Sequence, residues 1–337
     1  MQSNVYIGQY SQKGHLGFSQ VKFEANGVAS SPSVKTDIVN PSYLTHSQHG
    51  LYVLSEVFQA EGAALYFLAH DVQYTQKIDL DGDAPCHIAI SGAGDRIAVA
   101  HYGTGDFELF ALGSEGKIGQ RIAKLSNYGQ GPHATRQLSP HGHQVMFIPN
   151  TTQLVTVDLG IDLLTFYHYE GKQVQQSQRL ELPPGSGPRH ASFTQDGLFG
   201  FVLCELDESL TVITLAEQQW QVVTTIAAFP EHVCHEAAAA IKLSADERYM
   251  YLTSRGESVI SWFDVSEPKR PVYQGYVETG GAFPRDITIT PDGKWLLAAN
   301  QHSNNVSIFE LDPQTGKPNW HSDLPDVIAP TCLVVSD

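Results

Sequence analysis

Charged residues, cysteines and long apolar runs are all scarce in this sequence. Only 17% of its 337 residues are charged. The four cysteines form no C-x-x-C pair, so neither a zinc site nor a disulfide framework is indicated, and we expect free thiols. No run approaches the length that spans a bilayer, and the first residues lack the basic and apolar regions of a signal peptide. We therefore expect a cytoplasmic protein without a membrane partner.

Basic residues are few as well. The chain has 20 Lys and Arg against 36 Asp and Glu, a formal net charge of -16. Most of such a surface would repel phosphates, which argues against nucleic acid as a partner. An anionic ligand must therefore find a local basic pocket. The acidic surface suggests a monomer or a small homo-oligomer.

One short stretch could supply metal ligands. His232, Cys234 and His235 lie close together in the sequence, and these side chains are the kinds that bind zinc. No partner cluster lies at a recognisable spacing, so a polar loop is the better interpretation. We expect no metal site and no cofactor.

Turn-forming residues are plentiful and recur with a period. The composition (Gly 29, Pro 18, aromatics 10%) fits many short strands joined by tight turns, which favours an all-β protein. A small residue or Pro, an alternating strand, a turn of the TPDG kind and a second apolar strand recur about every 44 to 50 residues, with one longer interval. The seven anchors of this repeat are Pro41, Pro85, Gly142, Pro188, Ala238, Pro284 and Pro330.

This period predicts a β-propeller of seven blades, each an antiparallel sheet of four strands. The last unit ends after one strand, so we expect N-terminal strands to complete its sheet and close the ring as a single domain over residues 1–337. Two β-sandwiches would need a linker, and no Gly/Ser or charged stretch interrupts the period. A helical solenoid conflicts with the period-2 alternation of segments such as 287–290.

Residues at equal offsets from their anchors should form rings around the propeller axis. Offsets 1 and 17 lie at the same end of each strand pair, so both rings should face one mouth. At offset 1 stand Ser42, Cys86, His143, Arg189, Ala239, Arg285 and Thr331; at offset 17 stand Tyr102, Leu159, Glu205, Arg255 and Gln301. His87 and His190 fall at offset 2, and alternation points them away from these rings, so that His190 would support Arg189.

The longest interval contains an insertion, GPHATRQLSPH. It adds Arg136, Gln137 and His141 at the same face, where we expect a partial lid. Paired guanidinium groups bind phosphate or carboxylate and can stabilise an oxyanion, while a His and a Glu can move protons. No G-x-S-x-G elbow, P-loop or dinucleotide fingerprint is present. The mouth therefore favours proton transfer on a small anionic substrate, although a solvated loop residue or an inter-blade salt bridge is the simpler alternative for any single charge.

The chain resembles, over essentially its full length, the seven-bladed propeller lactonase family, which contains propeller-type 6-phosphogluconolactonases and fungal carboxymuconate lactonizing enzymes. The resemblance implies four active-site residues: His143, Arg189, Glu205 and Arg255. Gly142 replaces the usual Pro between two His, and Cys204 replaces the usual Asn before the Glu. The matching motifs are SPHGHQVMF, VDLGID, GPRHASF, CELDES, TSRGES and FPRDITITPDGKWLLAANQ.

The resemblance implies a lactone hydrolase that converts 6-phosphogluconolactone to 6-phosphogluconate in the pentose phosphate pathway. Arg136, His141, His190, Arg285 and Gln301 are then candidate contacts for a small anionic sugar lactone. Two alternatives stay open: a carboxymuconate-type cycloisomerase or a lactonase for an unphosphorylated sugar lactone, and a propeller that serves as a binding scaffold without catalysis.

Overall fold

The computed structural model describes residues 2–12, 14–69 and 73–336. Over these residues the regular secondary structure is β-strand, apart from two short 3-10 turns at Gln59–Glu61 and Leu159–Ile161. The part of the chain that the structure describes contains no helix with the length and hydropathy of a membrane span.

The strands form seven antiparallel four-stranded sheets, which we number as blades 1 to 7. Blade 1 contains Leu44–Ser47, Gly50–Ser55, Ala64–Ala69 and Gln73–Asp79; blade 2 contains Pro85–Ile90, Arg96–His101, Asp106–Leu112 and Ile118–Ser126; blade 3 contains Gly142–Phe147, Gln153–Asp158, Leu163–Glu170 and Gln173–Glu181; blade 4 contains Pro188–Phe193, Phe199–Cys204, Ser209–Ala216 and Gln219–Ala227. Blade 5 contains Ala238–Leu243, Tyr249–Ser254, Val259–Asp264 and Val272–Glu278; blade 6 contains Pro284–Ile289, Trp295–Asn300, Asn305–Leu311 and Pro318–Leu324; blade 7 contains Pro330–Ser336, Ser3–Gln9, Phe18–Phe23 and Ser33–Lys35.

The predicted fold class, a seven-bladed β-propeller with four antiparallel strands per blade, is confirmed. Six of the seven blades begin exactly at the predicted anchor; the exception is blade 1, whose first strand begins at Leu44 rather than Pro41. In blade 7 the C-terminal strand Pro330–Ser336 pairs with Ser3–Gln9, as expected. Proline suits a first strand position because it has no N–H to contribute to the ladder.

Contacts divide the chain into two compact units, Thr45–Thr225 and Met1–Leu44 with Ile226–Asp337. In the first unit, the ring of Trp220 stacks on Phe166 and meets Phe193 edge-on within a buried cluster between blades 3 and 4. In the second, Trp295 packs within a cluster that joins blades 6 and 7. Within each unit, apolar strand faces of one blade are therefore buried against the next blade. The single-domain assignment stays a prediction.

The turns between first and second strands repeat one geometry. In blades 4 and 6 the N–H of Gly197 or Gly293 donates to the carbonyl of the Thr three residues earlier, and each glycine has a φ near +70°. In blade 5 the same position is held by Glu247, with a φ of +58°. This left-handed conformation suits glycine and strains other residues.

An extra residue interrupts the first strand at the same place in several blades. The pairing skips one position between Pro85 and His87, between Gly142 and Gln144, between Pro188 and His190, and between Pro284 and Asp286. The residues bulged out of the ladder are those at offset 1: Cys86, His143, Arg189 and Arg285. Thr331 is skipped in the same way in blade 7. β-Bulges bend the strand and re-aim its side chains, so simple alternation fails at these positions.

Candidate active site

A buried ion pair joins the two ends of the blade 4 strand pair. Arg189 is the bulged residue of the first strand, and Glu205 follows the second. The Glu205 N–H donates to the carbonyl of Gly187 at 2.7 Å, which brings both ends together. The Nε of Arg189 lies 3.1 Å from Oε2 of Glu205, and each residue is only 2% exposed. The hairpin therefore places a guanidinium beside a carboxylate, as predicted from the offsets.

A second guanidinium reaches the same carboxylate from the insertion. The Nη2 of Arg136 donates to Oε1 of Glu205 at 2.5 Å and to the hydroxyl of Tyr102 at 3.3 Å. Burial disfavours the charged form of Arg136, but the attraction of Glu205 and the hydrogen bond that Arg136 donates to it outweigh burial and raise the pKa of Arg136. The Arg136 side chain is 33% exposed. It is therefore a fixed positive charge that solvent or a ligand can reach.

Aromatic rings form a continuous row beside this ion-pair set. The ring of His143 meets that of Tyr102 at 5.6 Å and that of His190 at 5.2 Å, and His190 meets His87 at 5.5 Å. The expectation that His190 points away from the residues at offset 1 is wrong, because its ring contacts that of His143; for His87, whose ring meets that of His190, the expectation stays a prediction. Bulges at Cys86, His143 and Arg189 break the strict alternation on which that expectation depended.

His141 lies against Tyr102 in two ways. The two rings stack with centroids 4.4 Å apart and an interplanar angle of 15°. The Nδ1 of His141 lies 2.8 Å from the backbone carbonyl of Tyr102, which can only accept, so Nδ1 carries the proton. The backbone N–H of His141 donates to Asp158, a buried carboxyl whose pKa is raised by burial. These contacts fix the imidazole in one orientation.

Gln137 is a buried support rather than an exposed part of a lid, which corrects the expectation from sequence. Its side chain is fully buried, and its Nε2 donates to the carbonyl of Leu159 and to Oδ1 of Asp162, both at 2.8 Å. The same Oδ1 accepts the N–H of Gly187, two residues before Arg189. The carboxylate of Asp162 therefore accepts hydrogen bonds both from the insertion and from the residue just before blade 4.

The remaining predicted site residues lie in the other unit. Arg255 donates from Nε to the carbonyl of Ala237 at 3.0 Å, and its guanidinium lies over the ring of Phe283 at 5.2 Å. Arg285 donates to the hydroxyl of Tyr10 at 2.8 Å. Gln301 follows the second strand of blade 6 and is partly buried. These three assignments stay predictions.

The two histidines among the candidate metal ligands, in the loop before blade 5, lie beside a glutamate side chain. Nε2 of His235 lies 2.5 Å from Glu257, and Nδ1 of His232 lies 3.6 Å from its other oxygen. Cys234 is exposed and, like the other three cysteines, makes no disulfide. Over the described ranges, no cluster of His, Cys, Asp and Glu has the geometry to hold a metal ion.

Two features of the site were not predicted. Tyr102 stands at offset 17, like Glu205, but was given no role; it contacts Arg136, His141 and His143. Its offset was the signal that could have identified it. The pairing of Arg136 with Glu205 depends on the path of the insertion, for which the repeat provides no template.

Residues 4–335 match the family described as "Lactonase, 7-bladed beta-propeller". The chain belongs to this lactonase family. It is 26% identical over 338 residues to the 6-phosphogluconolactonase of Bacillus subtilis, covering 97% of each chain. It is 28% identical to the 6-phosphogluconolactonase of Formosa agariphila, over 93% of this chain and 94% of that protein. The structure of a periplasmic gluconolactonase of Pseudomonas aeruginosa matches with a TM-score of 0.90 at 25% identity, over 100% of this chain and 99% of that one.

Family membership confirms the predicted enzyme class, a lactone hydrolase with lactonase activity. His143, Arg189 and Glu205, three of the four active-site residues that the resemblance implies, lie in one unit, and their role in catalysis stays a prediction. The cytoplasmic location stays a prediction, since one similar structure is described as periplasmic.

Proposed function

We propose that the protein hydrolyses 6-phosphogluconolactone to 6-phosphogluconate, a step of the pentose phosphate pathway. The observation that carries the proposal is the cation-rich cluster in which Arg136 and Arg189 flank Glu205, with Tyr102 contacting both Arg136 and the imidazole of His143. Two guanidiniums on one carboxylate leave a local positive charge in a chain of net charge -16, which suits an anionic sugar lactone. The names of the relatives from Bacillus subtilis and Formosa agariphila support the same substrate.

Lactone hydrolysis needs a proton acceptor for water, a stabilised oxyanion and a proton for the departing ring oxygen. Water adds to the carbonyl carbon, the bond from that carbon to the ring oxygen breaks, and the ring oxygen takes one proton of the water. The products are a hydroxyl and a carboxylic acid, which ionises to the carboxylate and releases the other proton to solvent. Both oxygens of Glu205 are engaged by arginines. We therefore assign the proton transfers to His143 and a supporting role to Glu205.

Arg189 is the cation proposed to polarise the substrate carbonyl. It lies on the bulge of blade 4, at the offset that His143 holds on blade 3. A fixed guanidinium can stabilise the oxyanion that forms when water adds. Arg255 has the same proposed role on the strength of the family resemblance. Replacing Arg255 by Lys keeps the charge but removes the fork of donors, so kcat should fall if the geometry matters.

The test is alkali uptake by purified protein with freshly made 6-phosphogluconolactone. A kcat/KM of about 10⁴ M⁻¹s⁻¹ or more is the expected result for an enzyme acting on its own substrate. The blank is the spontaneous opening of the lactone in the same buffer. An initial rate no faster than this blank refutes the proposal.

A second candidate substrate is unphosphorylated gluconolactone. The structural match to the periplasmic gluconolactonase of Pseudomonas aeruginosa favours it. The ratio of kcat/KM for the two lactones decides between them. A ratio near one would mean that the enzyme also acts on unphosphorylated sugar lactones and that no contact with the phosphate group contributes to turnover.

A further inference from the structure

Arg136 has donors left for a ligand after it has paired with Glu205. Its contacts to Glu205 and Tyr102 both come from Nη2. Across the described part of the chain, its Nε and Nη1 make no hydrogen bond. The side chain is 33% exposed, so these N–H groups can meet a bound anion. Phosphate oxygens are favoured partners of a guanidinium.

His141 presents a second polar group next to the same tyrosine. Its Nδ1 proton is committed to the Tyr102 carbonyl, which leaves Nε2 for a ligand. This nitrogen can accept a hydrogen bond from a protonated phosphate and donate one when the ring is protonated. Arg136 and His141 both belong to the insertion at residues 131–141, and both contact Tyr102.

The insertion is held in place before any ligand arrives. Gln137 ties it to Leu159 and Asp162, and its Oε1 accepts the N–H of His133 at 3.1 Å. Asp158 accepts the backbone N–H of His141 at 2.8 Å. Fixing donors beforehand reduces the entropy lost when a ligand binds. A flexible surface loop would lack this advantage.

We infer that Arg136 and His141, oriented by Tyr102, form a subsite for the phosphate group of a phosphorylated sugar lactone. This inference rests on the proposed function and adds the residues that would distinguish a phosphorylated substrate from its unphosphorylated analogue. The ligand class is a phosphomonoester. Arg189 stays with Glu205 and the reacting carbonyl, so the two guanidiniums on Glu205 have different partners in the substrate.

The test measures binding and turnover separately. Calorimetry compares 6-phosphogluconate with gluconate, and alkali uptake compares the two lactones, for wild type, Arg136→Gln, Arg136→Lys and His141→Gln. We expect wild type to bind 6-phosphogluconate more tightly. Arg136→Gln should lower this preference about tenfold to hundredfold, the size of a lost charge-assisted hydrogen bond. Lysine should retain part of it because it keeps the charge.

The comparison of two ligands removes a complication. Arg136→Gln also takes a partner from Glu205, which should weaken turnover of both lactones equally, so only the ratio reports on the subsite. Arg179→Gln removes an exposed arginine of the same unit and serves as the control. Melting temperatures identify any variant that fails to fold. If Arg136→Gln fails to fold, the ratio measured for Arg136→Lys tests the subsite.

The outcomes separate the subsite from the proposed function. Equal losses for both ligands in Arg136→Gln, with wild type still hydrolysing 6-phosphogluconolactone, overturn the subsite alone. Wild type that opens 6-phosphogluconolactone no faster than the blank overturns the proposed function. If a wild-type protein that is no faster than the blank also binds 6-phosphogluconate and gluconate equally well, the subsite is refuted as well.

Discussion

Glu205→Gln is the substitution that tests the ion-pair set most sharply. Glutamine has nearly the same shape as glutamate but carries no charge, so it removes the carboxylate charge beside the buried guanidinium of Arg189. The side chains of Arg189 and Glu205 are each only 3% exposed, so water cannot solvate the charge of Arg189. Arg136 is 33% exposed and can turn toward solvent.

The expected loss of stability follows from this burial. Breaking a buried pair by removing one partner costs about 3 to 5 kcal/mol. We expect the lower end, because the glutamine oxygen can still accept one hydrogen bond. About 3 kcal/mol corresponds to a melting temperature roughly 4 °C lower in a chain of this size. Since two arginines lose their orientation, kcat/KM should fall about a hundredfold.

The assays are differential scanning calorimetry at neutral pH and alkali uptake with the preferred lactone. Glu181→Gln is the matched control, because Glu181 is an exposed strand residue of the same unit; it should change stability by less than about 0.5 kcal/mol. A Glu205→Gln variant with the wild-type melting temperature and rate would refute the reasoning, since it would mean that the carboxylate charge matters to neither fold nor catalysis.

Three further predictions concern single residues. His143→Gln should lower kcat about 10²- to 10⁴-fold while KM stays close to wild type, as expected for a lost proton-transfer group; an unchanged kcat in steady-state assays would exclude His143 as the base. Burial raises the pKa of Glu108, but hydrogen bonds from His101 and Arg121 outweigh it and lower that pKa. The stability from Glu108 is therefore full at neutral pH and lost in acid, so the melting-temperature gap between wild type and Glu108→Gln should shrink as pH falls; a gap independent of pH would contradict this. Glu247→Gly should raise the free energy of unfolding by about 0.5 to 1 kcal/mol, because φ is +58° there; calorimetry showing a loss would contradict the strain.

The strand positions could be predicted from the sequence because each repeat contains residues that mark where its strands start and turn. Proline or a small residue marks the strand start, and the turn between the first two strands has glycine where φ is positive, as at Gly197 and Gly293. Blade 1 starts later than predicted, at Leu44. Equal offsets also brought Arg189 and Glu205 together, since the return of a hairpin is fixed by its register.

Side-chain directions around the bulges were not readable. A bulge leaves no sequence signature at His143 or Arg189, yet it cancels the alternation that predicted the orientation of His190. The insertion posed a different difficulty. Its path depends on the long-range hydrogen bonds of Gln137, and a single sequence does not indicate which polar residue of a loop turns inward.

The location of the bound product tests the central claim most directly. A crystal structure with 6-phosphogluconate should have the sugar acid within hydrogen-bond distance of Arg136 and beside the imidazole of His143, with the Arg189–Glu205 pair intact. Product bound at a position that contacts neither Arg136 nor His143 would contradict the account, however active the enzyme proved to be.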